Sequence, residues 1–341
     1  MNVFQSPSNF GNKKVFEVQA LYNTDSTLEF VLQPDKYNLL LADVFLNFSI
    51  QLDPNYIMDN QAAKLFDSVE VIVSGEKVSS RSNSNEYFLE SFFKTKANHP
   101  KSHFGNMLLP AGWFTDNNFG TQFIMDEIAN NSKKESRAVK RHTTNEVKDT
   151  DDNLTGRLYN FSMQIESPMF QQMKPLPSNV PVQINFKRAN PELAVIKCTA
   201  DQKKHYQTNS IDILNPYLEV TAYQSDELSK ELSLERHERL YYPIEDGVIR
   251  THTIEKGVNH VNFSATAGGK LPKMIFTSLA LPEAFNGDEA TSATLFTKAG
   301  MSKVELLVDN KILPGSVVPM DNNILAYAKF HRECKLLPNF Y

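Results

Sequence analysis

The sequence predicts an all-β fold arranged in two domains. Apolar and polar residues alternate in several short runs, and Gly, Pro and Asn residues separate these runs. Alternation with a period of two is typical of a strand that rests one face on a core. The 23 Phe and 12 Tyr residues strengthen the prediction, because aromatic side chains favour strands. A chain of 341 residues exceeds the usual size of one domain, so two domains are expected.

The first half of the chain contains the clearest strand patterns. Residues 1–14 are polar and rich in Asn and Ser, and we expect them to form an extended N-terminal arm. The run 69–73, the turn at Ser74-Gly75-Glu76 and the following Lys77-Val78 together predict a hairpin. Pro181 places its strand at a sheet edge or at the start of a paired section. The remaining predicted strands of this half are 27–32, 44–52, 159–165 and 180–186.

Two helices and one long loop interrupt the strands. Residues 86–97 carry apolar side chains at helical spacing, and Asn85 before them is suited to cap a helix. A second helix is expected over 225–239. Residues 98–156 are irregular and predict a long loop insertion. The basic residues between 133 and 142 are interpreted as part of this solvated loop, because a net charge of -5 argues against a protein that coats nucleic acid.

The second half carries shorter runs of strand-forming residues. Tyr241-Tyr242-Pro243 ends the preceding helix, since proline disfavours a helical residue before it. The predicted strands lie near 217–222, 248–254, 258–263, 275–281 and 304–308. Residues 320–341 show no further alternation, and a helix or turn is predicted at Ile324-Leu325-Ala326-Tyr327.

Two pairs of histidines are spaced closely enough in the sequence to suggest a metal site. His99 and His103 are four residues apart, but Pro100 disfavours the helix that would bring them together. His252 and His260 flank Gly257 and would suit a cupin-type metal site if they lay on adjacent strands. A cupin site needs a tighter histidine cluster with a carboxylate ligand, so both are interpreted as outward-facing residues.

Other reactive patterns are equally incomplete. Gly268-Gly269-Lys270 lacks the spacing of a phosphate-binding loop. Cys198 follows Lys197, which could lower its pKa, but no histidine partner is indicated. We therefore predict no catalytic, cofactor-binding or metal-binding residues, no cofactor and no enzymatic activity.

The cysteine content and the hydropathy indicate the kind of cellular compartment in which the protein is made. Cys198 and Cys334 are the only cysteines, which is too few for a disulfide framework and indicates a reducing compartment. No apolar run approaches the roughly 20 residues that a membrane span requires. The first residues lack the basic start and apolar run of a signal peptide. We expect a soluble protein that is made inside a cell.

Two blocks of the sequence resemble a known family. The first extends over 239–308 and contains Arg239-Leu240-Tyr241-Tyr242-Pro243-Ile244, the run 248–257, Gly268-Gly269-Lys270-Leu271-Pro272-Lys273, Ala284-Phe285-Asn286-Gly287-Asp288 and the run 304–310. The second contains Leu65-Phe66, Val69-Glu70-Val71, Gly75 and Tyr87-Phe88-Leu89-Glu90. On these residues the chain resembles the double-jelly-roll major capsid proteins of Maverick/Polinton elements and adintoviruses, and the related capsid-like proteins of animal genomes.

The resemblance implies two jelly-roll barrels of eight strands each. The first would comprise residues 1–200 with the loop insertion at 98–156, and the second residues 201–341. Family members form homotrimers that tile an icosahedral shell around double-stranded DNA, together with neighbouring capsomers and penton or minor capsid proteins. The expected location is the virion capsid, after synthesis in the host cytoplasm, with no specific nucleic-acid site. The alternatives are a single-barrel minor capsid (penton) protein, a jelly-roll carbohydrate-binding module and a cupin-type enzyme.

The chain departs from the family pattern near its end. Family members continue beyond the position that matches Tyr327 with strands that complete the second barrel. Fewer than eight strands are predicted in the second half here, so we expect an incomplete second barrel. A missing strand leaves an open edge and exposed apolar residues. The sequence therefore predicts oligomers or aggregates instead of a stable monomer.

Overall fold

The structure is a computed structural model. It describes residues 12–34, 36–53, 56–59, 61–80, 86–98, 109–112, 143–148, 154–197, 211–224, 241–242, 248–264, 275–288, 292–294, 296, 300–308, 310–312 and 317–320. Among these residues, no helix combines the length and the apolar character needed to cross a membrane.

Strands dominate the described residues, and helices are few. The strands are β1 (Asn12–Gln19), β2 (Tyr22–Asn23), β3 (Thr27–Leu32), β4 (Asn38–Leu52), β5 (Tyr56–Met58), β6 (Phe66–Val73), β7 (Glu76–Ser80), β8 (Thr143–Lys148), β9 (Leu154–Gln164), β10 (Val182–Arg188), β11 (Val195–Lys197), β12 (Ile213–Gln224), β13 (Lys303–Val304), β14 (Leu307–Val308), β15 (Lys311–Ile312) and β16 (Val318–Pro319). The α-helices are α1 (Glu86–Asn98) and α2 (Pro282–Asn286). The predicted all-β class is confirmed.

The longer strands form two five-stranded antiparallel sheets. The orders are β1-β12-β4-β9-β8 in one sheet and β2-β3-β10-β6-β7 in the other. Eight of these strands pair in a nested order, in which the first strand in sequence pairs with the last, the second with the second last, and so on inward. The pairs are β1 with β12, β3 with β10, β4 with β9, and β6 with β7. This nested pairing, distributed over two facing sheets, is the topology of a jelly roll. The first predicted barrel is therefore present, with β2 and β8 as additional edge strands.

Alternation along the strands builds the barrel core. In β4 the side chains of Val44, Leu46, Phe48 and Ile50 are buried, and each residue between them is more exposed. Phe48 of one sheet contacts Phe66 of the other with ring centroids 6.0 Å apart, and Phe66 contacts Phe186 at 4.8 Å. Such aromatic pairs add about 0.5–1.5 kcal/mol each beyond their buried area. These rings join the two sheets into one core.

The predicted hairpin and the first predicted helix are confirmed. β6 and β7 pair across the turn at Ser74 and Gly75, whose φ angles are 52° and 81°. Two successive positive φ angles are typical of the tight turn whose twist matches that of a hairpin. α1 closes the adjacent end of the barrel, where its buried Tyr87 ring lies 6.1 Å from the ring of Phe186. β10 begins at Val182, directly after Pro181, as the missing amide hydrogen of proline requires.

The sequence assigns the strand at 217–222 to the second barrel, and this assignment is wrong. These residues belong to β12, which pairs with β1 on one side and with β4 on the other. β12 is thus the last strand of the first barrel. A boundary at residue 200 would separate this strand from the sheet that it completes.

Three further predicted strands are irregular in the structure. The described residues of 248–254, 258–263 and 275–281 contain no paired strand, although Leu279 forms an isolated bridge. The prediction at 304–308 is met in part, because β13 pairs with β16 and β14 pairs with β15 as two-residue ladders. The predicted N-terminal arm at 1–14 is wrong for residues 12–14, which begin β1. Several other predicted features lie outside the described residues: the rest of that arm, the basic stretch at 133–142, the helix at 225–239 and the segment 321–341.

Candidate assembly interface

Short segments from the second half dock against the jelly-roll barrel. Ala284 of α2 and Ala293 are almost completely buried. Tyr242, Phe285 and Phe296 are partly buried and pack against the barrel core. The barrel therefore supplies the surface on which the second half of the chain is anchored.

A cluster of polar side chains, which we call the polar clamp, lies at the centre of this contact. It consists of Asp59, Lys64, Ser292 and Thr294, each no more than 9% exposed. Lys64 lies in a 3₁₀ turn (Ala62–Leu65) after β5, and its ammonium forms an ion pair with Asp59. The ammonium also donates to Ser292 Oγ at 3.2 Å and to Thr294 Oγ1 at 3.1 Å. Ser292 in turn donates to Asp59 Oδ2 at 2.6 Å.

The polar clamp satisfies the hydrogen-bonding capacity of a buried lysine. Burial lowers the pKa of Lys64, and the neighbouring Asp59 carboxylate opposes this shift by favouring the charged form. An ammonium group has three protons to donate, and the clamp offers one carboxylate and two hydroxyl oxygens. A buried charge is tolerated only when it is paired and hydrogen-bonded in this way. The clamp therefore requires residues 292–294 to sit in one position on the barrel.

Aromatic rings form a second contact between the barrel and the second half. Phe93 of α1 stacks on Phe276 at 5.2 Å and on Phe296 at 5.7 Å between ring centroids. Phe92 meets Phe296 edge-on at 5.3 Å. Offset and edge-on rings at these distances attract each other beyond simple area burial. α1 thus binds both the barrel core and the second half.

The end of α2 makes a close polar contact with the barrel. Asn190 Nδ2 donates to the carbonyl of Asn286 at 3.2 Å. Gly287 follows with a φ of 111°, and a Cβ at this position would lie 2.6 Å from Asn190 Nδ2. A side chain at residue 287 would therefore be both strained and in collision with Asn190. Glycine is required where this helix meets the barrel.

Residues 248–264, which we call the arm, differ from these anchored segments. Every residue from 251 to 264 is exposed, including Ile254, Val258, Val261 and Phe263. The arm turns at residues 255–258, where the Val258 amide donates to the Glu255 carbonyl at 3.3 Å. This turn separates the arm into two limbs. His252 stacks on Phe263 at 4.4 Å. Arg250 Nη1 also donates to the Ser264 carbonyl at 2.9 Å, so the two limbs lie side by side, although neither is a strand in the described structure.

Ionisable side chains also gather beneath α1. Glu90 forms an ion pair with Lys94 at 2.7 Å, and the amide of Glu166 donates to the Tyr87 hydroxyl at 3.2 Å. Desolvation raises the pKa of Glu166 to about 7; Lys94 opposes this change and Glu90 reinforces it. Glu166 is partly exposed as a residue, so water screens part of this effect.

Of the histidine and cysteine candidates singled out in the sequence, the structure describes His252 and His260. His252 and His260 are both exposed, and His252 contacts Phe263 instead of a second ligand. Within the described residues, no three His, Cys, Asp or Glu side chains gather closely enough to hold a metal ion. His99, His103, Cys198, Cys334 and Gly268-Gly269-Lys270 lie outside the described residues. Sequence reasoning missed the polar clamp, because its residues belong to no recognisable motif.

Comparisons with known proteins give matches only at the level of solved structures. No protein-family model matches the chain. No curated protein matches it in sequence.

Three solved structures from viral particles align with the chain. VP54 of PBCV-1, fitted into a cryo-EM reconstruction of the virophage Sputnik, aligns with a TM-score of 0.37 and 11% identity over 68% of this chain and 47% of that chain. A quasi-atomic model of the PBCV-1 virus capsid aligns with a TM-score of 0.36 and 11% identity over 68% and 47% of the two chains. The Sputnik virophage structure at 3.5 Å aligns with a TM-score of 0.41 and 10% identity over 66% and 52%. The chain spans about half the length of the solved chains that it matches.

Proposed function

We propose that this chain is a structural subunit of a viral-type protein shell. One observation carries the proposal: among the described residues, a jelly-roll barrel is joined to later segments, many of whose large apolar side chains are exposed. The sequence resemblance to double-jelly-roll major capsid proteins supports the same function.

The distribution of exposed apolar side chains supports an assembly role. Among the described residues, most large apolar side chains that are exposed by more than a third lie in the second half: Tyr241, Val248, Ile254, Val258, Val261, Phe263, Ile275, Leu281, Leu307, Ile312 and Val317. Soluble monomers expose few contiguous apolar patches, and larger ones mark interaction sites. Each square ångström of such surface that a neighbouring subunit covers stabilises the contact by about 25 cal/mol.

The finer proposal follows the resemblance. We propose a Maverick/Polinton-type major capsid protein that forms homotrimers, and trimers that tile an icosahedral shell around double-stranded DNA with penton proteins at its vertices. The second β-rich unit would begin after Gln224, because β12 completes the first barrel. The chain would act through packing, without catalysis or a cofactor, and would reside in the virion.

The test is the assembly state of the purified protein. Light scattering coupled to size-exclusion chromatography, followed by negative-stain electron microscopy, is expected to reveal trimers and larger shell-like particles. Replacing Val258 and Phe263 together by Asp is expected to reduce these particles, because charges would be buried at the contact. Met173→Asp, at an exposed position on the first barrel, serves as the matched control. A wild-type chain that remains monomeric at all concentrations would contradict the proposal.

One observation favours a second candidate function. The described residues contain a single barrel with a complete strand set, and the strands of the second half are only two residues long. A minor capsid protein with one jelly roll, placed at the vertices of a shell, would fit this. The mass of the smallest stable oligomer separates the two candidates, because a vertex protein forms pentamers and a face protein forms trimers.

A further inference from the structure

A tyrosine directly before β4 contacts the ammonium groups of two lysines. The Lys14 ammonium, on β1, lies 4.9 Å from the centroid of the Tyr37 ring and donates to the Tyr37 hydroxyl at 3.4 Å. The Lys36 ammonium lies 5.9 Å from the same centroid. Within the described residues, neither ammonium forms an ion pair with a carboxylate. The negative face of the ring attracts both cations and holds them close together.

A second pair of a lysine and a tyrosine lies on a neighbouring segment. The Lys174 ammonium lies 5.6 Å from the centroid of the Tyr242 ring, and the Tyr242 hydroxyl donates to the Pro175 carbonyl at 2.9 Å. Leu39 and Leu176 exchange backbone hydrogen bonds of 3.0 and 2.8 Å, which place this segment beside the start of β4. Both pairs therefore lie along the same margin of the barrel.

Positive charge predominates at this margin. We call it the lysine rim, and it consists of Lys13, Lys14, Lys36 and Lys174. Lys13 forms an ion pair with Asp43 at 3.4 Å, and Asp35 precedes Lys36 in the sequence. The four lysines thus outnumber these two neighbouring aspartates, in a chain whose net charge is -5. A local patch of one sign attracts counter-ions even when the net charge of the protein has that of the ions.

The arrangement of the lysine rim suits a long polyanion. Lys13, Lys14 and Lys36 are exposed, so a partner can reach them. The ammonium groups are distributed over three segments instead of converging on one point, as the site of a small anion would require. Double-stranded DNA presents about one negative charge per 1.7 Å of its axis, so several phosphates can meet several lysines at once.

We propose that the lysine rim binds the phosphate backbone of double-stranded DNA without regard to sequence. Lysine contacts a phosphate as a point charge and does not read the bases in doing so. Tyr37 is a positioning residue that keeps the Lys14 and Lys36 ammonium groups together. The choice of DNA as the polyanion rests on the proposed shell function, in which the shell encloses DNA.

The salt dependence of DNA binding tests the inference. Fluorescence anisotropy measures the binding of two unrelated DNA duplexes over a series of NaCl concentrations, and equal affinities are expected for both. Each phosphate contact contributes about -0.9 to the slope of log K against log salt concentration. The double variant Lys14→Gln, Lys36→Gln is therefore expected to make the slope shallower by about 2.

Two further sets of variants serve as controls. Lys256→Gln with Lys311→Gln removes the same charge from exposed positions outside the rim and is expected to leave the slope unchanged. Lys14→Arg with Lys36→Arg keeps both charges and is expected to retain the wild-type slope. Thermal unfolding of each variant verifies that the barrel is intact.

The role of Tyr37 has its own signature. Tyr37→Leu removes the ring but keeps both ammonium groups, so it is expected to weaken DNA binding while the salt slope is retained. Tyr37→Phe keeps the ring face and is expected to bind nearly as tightly as the wild type. Equal weakening in both variants would overturn the positioning role of the ring.

The outcomes separate the lysine rim from the proposed function. Vesicles of phosphatidylserine and phosphatidylcholine are the competing partner, and binding to them that needs Lys14 and Lys36 without any such DNA binding overturns the inference. An unchanged slope in the Lys14→Gln, Lys36→Gln variant also overturns it, and particles that still form by light scattering leave the shell function standing. A monomeric wild-type chain that shows the expected change in slope overturns the shell function and supports the DNA site.

Discussion

The barrel at residues 12–224 and the segments between 241 and 320 use similar amino acids in different ways. In the barrel, alternating apolar residues face inward and their backbones pair across two sheets. In the later segments, alternating apolar residues face solvent, and the described strands form only two-residue ladders. An apolar pattern therefore specifies a strand only where a partner strand and an opposing sheet are available. Among the described residues, the second half contacts the barrel at a few anchors, and residues 251–264 are exposed.

The largest expected difference between the two regions concerns their phenylalanines. Phe186 is fully buried between Phe66 and Phe30, and its replacement by alanine is expected to lower the free energy of unfolding by about 3–5 kcal/mol. Phe263→Ala is the matched change on the exposed arm and is expected to alter it by less than about 0.5 kcal/mol. Urea unfolding followed by circular dichroism measures both. Equal effects would show that the arm is part of the folded core.

Mutation of the polar clamp tests how the second half is attached to the barrel. Lys64→Met leaves the Asp59 carboxylate buried without its cation, which is expected to cost about 3–5 kcal/mol. Adding Asp59→Leu to Lys64→Met removes the orphaned charge and is expected to recover much of this loss.

Limited proteolysis then locates the damage from Lys64→Met. Cleavage in the second half is expected to accelerate before cleavage in the barrel, because the clamp fixes residues 292–294. Uniform acceleration along the chain would mean that the clamp stabilises the barrel itself instead of the docking contact.

The smallest expected effect is a dependence of barrel stability on pH. The pKa of Glu166 is raised from 4.5 to about 7 in the folded chain, so the folded state binds more protons than the unfolded state between these values. The free energy of unfolding should therefore fall as pH rises from about 4.5 to about 7, and this contribution should be constant outside that window.

Comparison with a neutral variant isolates this contribution. Glu166→Gln should flatten the pH profile in that window, and Glu17→Gln, at an exposed position of β1, should leave the profile unchanged. Thermal unfolding at a series of pH values measures all three proteins. An unchanged slope in Glu166→Gln would assign the pH dependence to other groups.

Local pattern was sufficient to predict much of the barrel. The alternation at 44–52, the turn at Ser74-Gly75 and the helical spacing after Asn85 each depend on neighbouring residues, and each matches the structure. The sequence pattern assigned β12 to the wrong barrel, because its partner strands β1 and β4 are far away in sequence. Alternation specifies which face of a strand is buried, but it does not specify the sheet that the strand joins.

The interface was beyond sequence reasoning for a related reason. Lys64 and Ser292 meet only because the fold brings the 3₁₀ turn of the barrel against a segment from the second half. Neither residue belongs to a recognisable motif, and a lysine is rarely buried. The 248–254 limb shows the opposite failure, in which an alternating sequence pattern forms no strand.

The pairing of β1 with β12 also governs when the barrel can close during synthesis. Asn12 pairs with Gln224, so β1 emerges from the ribosome long before the last strand of its own barrel and must await it. At a typical rate of about 5–20 residues per second, this delay is on the order of ten seconds or more. During this interval the edges of β1 and β4 that β12 will cover stay open to other nascent chains. Translation speed and chaperone access should therefore influence the yield of folded subunits strongly, because closing so long a loop is entropically costly and slow.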